Sequence, residues 1–576
     1  MAKITPSEQV ALGKKSRFQF KGLPVFYSLI LLIVAFIVLY PLILLLYNSM
    51  LIELPGGEKV FSWENWRTAW SQAGILESIW NTFLRVAVTE LIAFPVGILV
   101  VWLLTRTDIP RKNWLDFLFW IAFFLPTLPV VMGWILLFDP DFGLMNQLFK
   151  SVGFEKGPFN IYSFWGIIFI HLVTRSIAAK YIFLAPAFRN MDASMEEASR
   201  MSGVGNLATL AKIVVPVLTP AILVTLIISL IHSLESFETE LLLGPPFGFY
   251  VFSTKIYQLI YQDPPLFGPA TVLGVVILLS MLPLIIYQHW ISTHRNFTTV
   301  TSHFRTNVMR LGKAKWPATI GVILFGLFMT AIPIVFLFMG SFMTLFGFFN
   351  IDHAWTLEHW QRVLSDPILV NSIWNTVKLA GGTALLGIIV YSIIAYITVR
   401  TTYRWRGPLD FISWLPAAIP GVILGLGLLW MFLGVPFFRP LYGTVGVLIL
   451  ATFLTGMTTG VQLIKSNMVQ LGYELEEASY ISGGGWLYTF RRVMIPILTP
   501  VILSVATLTF VTAARNVAHI AMLVTANNRP IAMLQLDYSV DGRYEAAAIV
   551  GIIAVFMTTG VALIARLVGG RFGIKF

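Results

Sequence analysis

Twelve apolar runs, each about 20 residues long and set off by short polar breaks, follow one another along this chain, and that is the length an α-helix needs to cross the hydrocarbon of a bilayer. They fall at 26–50, 79–104, 115–138, 164–188, 217–240 and 270–292, then at 318–344, 372–398, 411–433, 443–465, 497–520 and 545–568. With 57% hydrophobic and 12% charged residues the sequence is too apolar for a soluble globule. An all-α membrane protein of twelve transmembrane helices is therefore expected.

The net charge of +11 does not signal nucleic acid, because the basic residues sit where membrane topology puts them. Lys3, Lys14, Lys15, Arg17 and Lys21 precede the first span, and Arg295, Arg305, Arg310, Lys313 and Lys315 lie between the sixth and seventh with no acid among them. Both segments read as cytoplasmic under the positive-inside rule, and an even number of crossings places Arg571 and Lys575 on the same side. The expected organisation is a basic tail (1–22), a first six-helix half (23–293), a cytoplasmic linker (294–316) and a second half (317–576). The first span is too long for a signal-peptide core and is expected to be retained. There are no cysteines, so disulfides and thiol chemistry are excluded.

The two halves are repeats. Trp66 aligns with Trp360, Ser78-Ile79-Trp80-Asn81-Thr82 with Ser372-Ile373-Trp374-Asn375-Thr376, Arg106-Thr107 with Arg400-Thr401, and Pro126 with Pro420, all at an offset of 294. Further on the offset falls to 280, because the loop after the third span is longer in the first half (139–163) than in the second (434–442). Six spans separate equivalent points, so the halves share one orientation and are related by an axis along the membrane normal. A substrate path would lie between them.

At the shorter offset one polar loop occurs twice. Glu197-Ala198-Ser199, Gly203 and Pro216 recur as Glu477-Ala478-Ser479, Gly483 and Pro496 with the same internal spacing. The pattern predicts a short amphipathic helix, a glycine where the chain reverses, a second helical piece and a proline where the next span begins. Gly484 and Gly485 predict a looser turn in the second copy. These loops resemble the Glu-Ala-Ala, Gly, Ile-x-Leu-Pro signature of permease subunits of binding-protein-dependent ABC importers, with Ser199 and Ser479 replacing the second alanine. The resemblance implies a fused pair of permeases with the type I importer fold, whose loops are coupling helices fitting an ABC ATPase homodimer. It also implies a periplasmic or lipid-anchored substrate-binding protein and a bacterial inner-membrane location.

Ser236 to Gly244, Val251 to Tyr257 and Glu545 to Ala548 look like the fused permeases of the iron(III) importer class, which makes ferric iron the expected substrate. The same machinery in relatives carries thiamine, polyamines, aminoethylphosphonate or sugar phosphates, and the Arg-Glu dipeptide of iron members is replaced here by Arg515-Asn516. No G-x-x-x-x-G-K-[ST] phosphate loop occurs, so this chain is expected to bind no cofactor and to leave ATP-Mg to the partner ATPase. No nucleophile–base constellation or metal-ligand spacing marks an enzyme. A twelve-helix secondary transporter is the rival class, but the loop from Arg106 to Lys112 lacks its basic Gly-rich motif.

Candidates for the path are the proline pairs of the third helix of each half, Pro126 with Pro129 and Pro416 with Pro420, and the charges closing the fifth and eleventh spans. His232, Glu235, Glu238 and Glu240 stand in the first half against Arg515, Asn516 and His519 in the second. Charges at such depth face a cavity or a partner. An ion pair between the halves, or a gate, is expected in preference to direct substrate contact.

Overall fold

Within hydrocarbon every backbone N–H and C=O must be satisfied inside the protein, which leaves helices as the way for these apolar runs to cross. The computed structural model describes residues 23–53, 58–192, 194–294 and 308–571. The basic tail, Arg295 and Arg305 of the linker, and Lys575 lie outside the described residues. Nine described helices are long and apolar enough to span: Pro24–Ser49, Ile75–Arg106, Phe164–Arg189, Asn206–Leu234, Gly312–Gly340, Pro367–Arg400, Val445–Val469, Trp486–Arg515 and Tyr544–Ala565. The helix Phe267–His294, with its apolar stretch Phe267–Pro283, stands at the sixth position.

The third and ninth spans, whose proline pairs remove intrahelical hydrogen bonds and so predict irregular backbone, are broken outright. Lys112–Phe124 meets Thr127–Phe138 at 97°, and Arg406–Ala417 meets Gly421–Gly434 at 109°. Pro126 and Pro420 occupy the turn positions just before each second leg, where a proline lacking its N–H and fixed in φ cannot continue the first leg. Every residue from Leu128 to Leu137 is buried, as is nearly all of Gly421 to Phe432. Legs apolar on all faces belong inside a bundle, and each of these two is enclosed by its neighbours.

Each half lends its first span to the other. Pro24–Ser49 packs on the broken ninth span, and Gly312–Gly340 packs on the broken third. The crossing is possible because a glycine faces a helix-internal proline at both places: a Cβ on Gly133 would lie 2.0 Å from the Pro333 carbonyl oxygen, and one on Gly427 2.9 Å from that of Pro41. The two glycines are equivalent in the repeat, at the offset of 294. Ser28 Oγ to Tyr403 Oη (2.7 Å) and the Trp134–Phe328 ring contact (4.7 Å) extend the same exchange.

The repeated Asn-Thr of the second and eighth spans has a capping role. Phe252 N donates to Thr82 Oγ1 (2.9 Å) and Ile531 N to Thr376 Oγ1 (2.8 Å), so each threonine caps a short helix, Phe252–Tyr261 or Ile531–Val540, that the hydropathy pattern did not reveal. Asn81 and Asn375 bind backbone carbonyls of the loops leading into those helices.

Candidate functional site

The two repeated loops fold alike in detail. Ser194–Met201 and Glu474–Ile481 are short helices, each closed by a glycine in the left-handed region, Gly203 at φ 76° and Gly483 at φ 83°. Ser199 Oγ meets Thr209 Oγ1 at 2.9 Å and Ser479 Oγ meets Thr489 Oγ1 at 2.8 Å, so the serine of each motif ties the helix to the return strand of chain. The extra glycines do not loosen the second turn. A side chain at Gly203 would enter open space, yet a non-glycine residue in that conformation costs about 1–2 kcal/mol. Gly203→Ala is therefore expected to insert normally and to speed amide exchange across 199–209; unchanged exchange would show that the turn does not hold the loop.

The proline does not open the next span. Helical backbone already runs from Asn206 and Trp486, and Pro216 and Pro496 follow five-residue π-turns, Leu210–Val214 and Phe490–Met494. A wider turn gives the proline ring room beside the carbonyl it would otherwise strike.

Two features of the loops escaped the motif. The first is an arginine clamp. Arg106 forms a buried ion pair with Glu196 and donates to the Met191 carbonyl (3.0 Å) and, more weakly, to that of Phe188 (3.5 Å). Arg400 repeats it with Glu476 (3.4 Å) and the carbonyls of Met468 and Leu471 (2.7 Å each). The end of the second or eighth span thus grips both the last turn of the helix before the loop and the short helix of the loop itself. The repeat of both partners was the available signal, but arginine and glutamate align at different offsets.

The second is an exposed apolar triad. Met195, Met201 and Leu207 are exposed in one loop, and Leu475, Ile481 and Leu487 in the other, at equivalent positions and up to 90% accessible at Met201. Glu477, Ala478 and Gly483 lie exposed among the second set, with Ala198 and Gly203 exposed and Glu197 half-buried among the first. Large apolar side chains exposed at matching positions beside polar turns are candidates for contact with another protein. The linker docks beside the first loop: Met309 pairs with the backbone at Arg106 and Asp108, and Asn206 Nδ2 reaches the Arg310 carbonyl (3.3 Å). The Leu311 N–H, helped by Lys315, holds the Asp108 carboxyl below the usual carboxylate range.

At the other candidate site, the fifth and eleventh spans end at Leu234 and Arg515, so Glu238, Glu240 and His519 follow the spans instead of closing them. The expected ion pair between halves is not formed between side chains. Arg515 donates to the Phe123 carbonyl (2.6 Å) and more weakly to that of Leu125 (3.4 Å), covering carbonyls freed at the break of the third span next to Pro126. Glu238 Oε1 in turn accepts from Val517 N (3.1 Å). Each half therefore holds the backbone of the other through one charged side chain. His519 bonds Thr452 within its own half (2.8 Å), Glu235 pairs with His232 (3.3 Å), and Pro420 stays at the ninth-span turn.

Among the described residues the first half carries a buried ionic network that has no counterpart at the equivalent positions of the second. Glu240 binds Arg85 (3.0 Å) and His171 (2.8 Å), while Glu90 binds Lys180 (2.6 Å) and Ser233 (2.5 Å). The equivalent second-half positions are Ile520, Leu379 and Ala451, then Ala384, Gly460 and Ala513. An unpaired buried charge is costly, so such a set is present or absent as a unit. Packing volume swaps with it: Gly97 makes room for Lys180, and Gly460 for Tyr391, in mirrored positions.

The family described as binding-protein-dependent transport system inner membrane component matches this chain twice, at residues 93–296 and 389–573. The chain is 28% identical over 411 residues to the ferric transport system permease protein FbpB of Actinobacillus pleuropneumoniae, covering 70% of this chain and 58% of that protein. It is likewise 28% identical to a putative ferric transport system permease protein, FbpB 1, of Haemophilus influenzae, covering 66% and 60%. The probable ABC transporter permease protein y4fN of Sinorhizobium fredii matches at 23% identity over 86% of this chain and 88% of its own. The chain thus spans about three fifths of the length of the two ferric-transport relatives.

Proposed function

The chain belongs to the family of binding-protein-dependent transport system inner membrane components, and from that premise we propose that it is the translocating subunit of an ATP-driven importer. Its two loops each dock one subunit of a cytoplasmic ATPase homodimer, which binds ATP-Mg and hydrolyses it. The observation that carries this reading is the matched pair of exposed apolar triads beside Gly203 and Gly483. Two equal sockets suit a partner that is itself a symmetric dimer. The arginine clamps transmit motion from the docked helices to the second, fourth, eighth and tenth spans, because each joins a span end to a coupling helix by buried charge.

In this reading ATP-driven closure of the ATPase parts the halves. The crossed contacts of Glu238 with Val517 and of Arg515 with Phe123 form the gate that opens then, since both bridge the two halves. A substrate-binding protein outside delivers the solute, and both termini lie in the cytoplasm. Ferric iron is the solute favoured by the two ferric-transport relatives.

Replacing Met201 and Ile481 by Asp tests the docking. Loss of a buried contact of this kind costs about 2 kcal/mol per loop, or about 30-fold in affinity. ATPase pull-down by the chain in detergent, and ATP-dependent uptake of radioactive iron in vesicles carrying the binding protein, are both expected to fail. Full association of the doubly substituted chain would refute the docking face, and ATP-dependent uptake of another solute in place of iron would correct the substrate alone.

A further inference from the structure

The buried ionic network takes in His171 and Lys180 of the fourth span and leaves out Arg175 between them; Arg189, at the span's end, pairs with Asp116. Arg175 sits on a π-turn, Leu172–Ser176, near the middle of Phe164–Arg189, whereas the equivalent tenth span is regular α-helix and carries Thr455 there. π-turns of this kind mark functional positions in helices, because they re-aim a side chain at the expense of regular bonding. Its guanidinium lies over the Phe123 ring at 5.5 Å from the centroid, and that of Arg515 lies over the same ring at 5.6 Å. Arg175 is half-buried and, among the described residues, makes no ion pair. Its acidic neighbours are Glu235 and Glu238, which are engaged by His232 and by Val517 N. Arg515 is 8% exposed and its Nη2 has no hydrogen-bond partner among the described residues.

We infer that Arg175 contacts an anionic group of the transported solute, a carboxylate or phosphate-type oxyanion, at the junction of the two halves. The inference rests on the gate reading above. When Glu238 leaves Val517 and Arg515 leaves the third-span carbonyls, two guanidinium groups from opposite halves flank one aromatic ring, a cradle in which the planar fork of arginine matches an oxyanion bidentately. Among the described residues no group of three or more His, Asp or Glu side chains converges to hold a bare metal ion. Iron would then pass here dressed in anionic ligands, and a free oxyanion would use the same two cations.

The full chain in nanodiscs is treated with phenylglyoxal, which modifies reachable guanidinium groups, and modification of Arg175 is read by peptide mass spectrometry. The probes are inorganic phosphate, citrate and ferric citrate, with choline as cationic control. At saturating probe, modification of Arg175 is expected to fall about fivefold or more, with choline without effect. Protection by citrate or phosphate alone assigns a free anion, and protection by ferric citrate only assigns a ligand of iron. Arg515→Gln is expected to weaken this protection. Equal modification with and without every probe, or no modification of Arg175 in any condition, overturns the inference. The gate is scored separately: Glu238→Gln is expected to raise Arg175 modification in the absence of probe, and no rise counts against the gate itself.

Discussion

Gly133→Val is expected to prevent the two halves from closing on each other, with a large fall in folded yield and in the detergent unfolding temperature. A Cβ there would lie 2.0, 2.7 and 2.8 Å from the carbonyl oxygen, carbonyl carbon and Cα of Pro333. These are backbone atoms within a helix, so no side-chain rotation relieves the contact, and the whole seventh span must retreat from the third. Overpacking usually costs about 1–3 kcal/mol, and a backbone clash belongs at or above the top of that range. Gly427→Val meets the Pro41 oxygen at 2.9 Å and the flexible Leu45 Cδ1 at 3.1 Å, so it is expected to be milder. The order of the two variants is the discriminating result. A Gly133→Val chain as stable as the unsubstituted one would mean that the first spans are not exchanged between halves in this way.

Arg106→Ala is expected to free the short helix Ser194–Met201 of the first loop while leaving the membrane bundle folded. It strands Glu196, whose side chain is 5% exposed, and leaves the Met191 and Phe188 carbonyls without their donor. Removing one member of a buried pair typically costs about 3–5 kcal/mol, most of it the price of the abandoned charge. Adding Glu196→Leu to Arg106→Met should therefore restore much of the loss, which a double-mutant cycle on protease cleavage within 190–210 would measure. Arg400→Ala is expected to cost less, because its pair with Glu476 is longer at 3.4 Å and the Tyr396 hydroxyl still serves that carboxylate at 3.2 Å. If Arg106→Ala leaves cleavage unchanged, the clamp is ornamental to the loop. If it alters cleavage yet spares uptake, the clamp holds the loop without transmitting its motion.

Much of this could be read from residues in line. Apolar runs of spanning length recur because the solvent is the same for every crossing, and a duplicated loop keeps its spacing because helix, turn and return are local. The serine of each motif also has a local role, closing on a threonine ten residues later, although its partner was not foreseen. The crossed contacts between the halves were half legible: Glu238 and Arg515 stood out as charges at depth, but each chose a backbone atom of the opposite half over the other's side chain. Charge marks where a partner is needed and says little about which partner is nearest.

The sequence by itself determined the helical class, the doubled architecture and the two loops, since these follow from hydropathy, repetition and turn chemistry within short stretches of chain. Only the tertiary structure decided how sharply the chain turns at Pro126 and Pro420, the exchange of first spans through Gly133 and Gly427, and the clamping of Glu196 and Glu476. Each of those depends on atoms far apart in the chain meeting at contact distance, and contact is a property of packing that no local pattern of residues encodes.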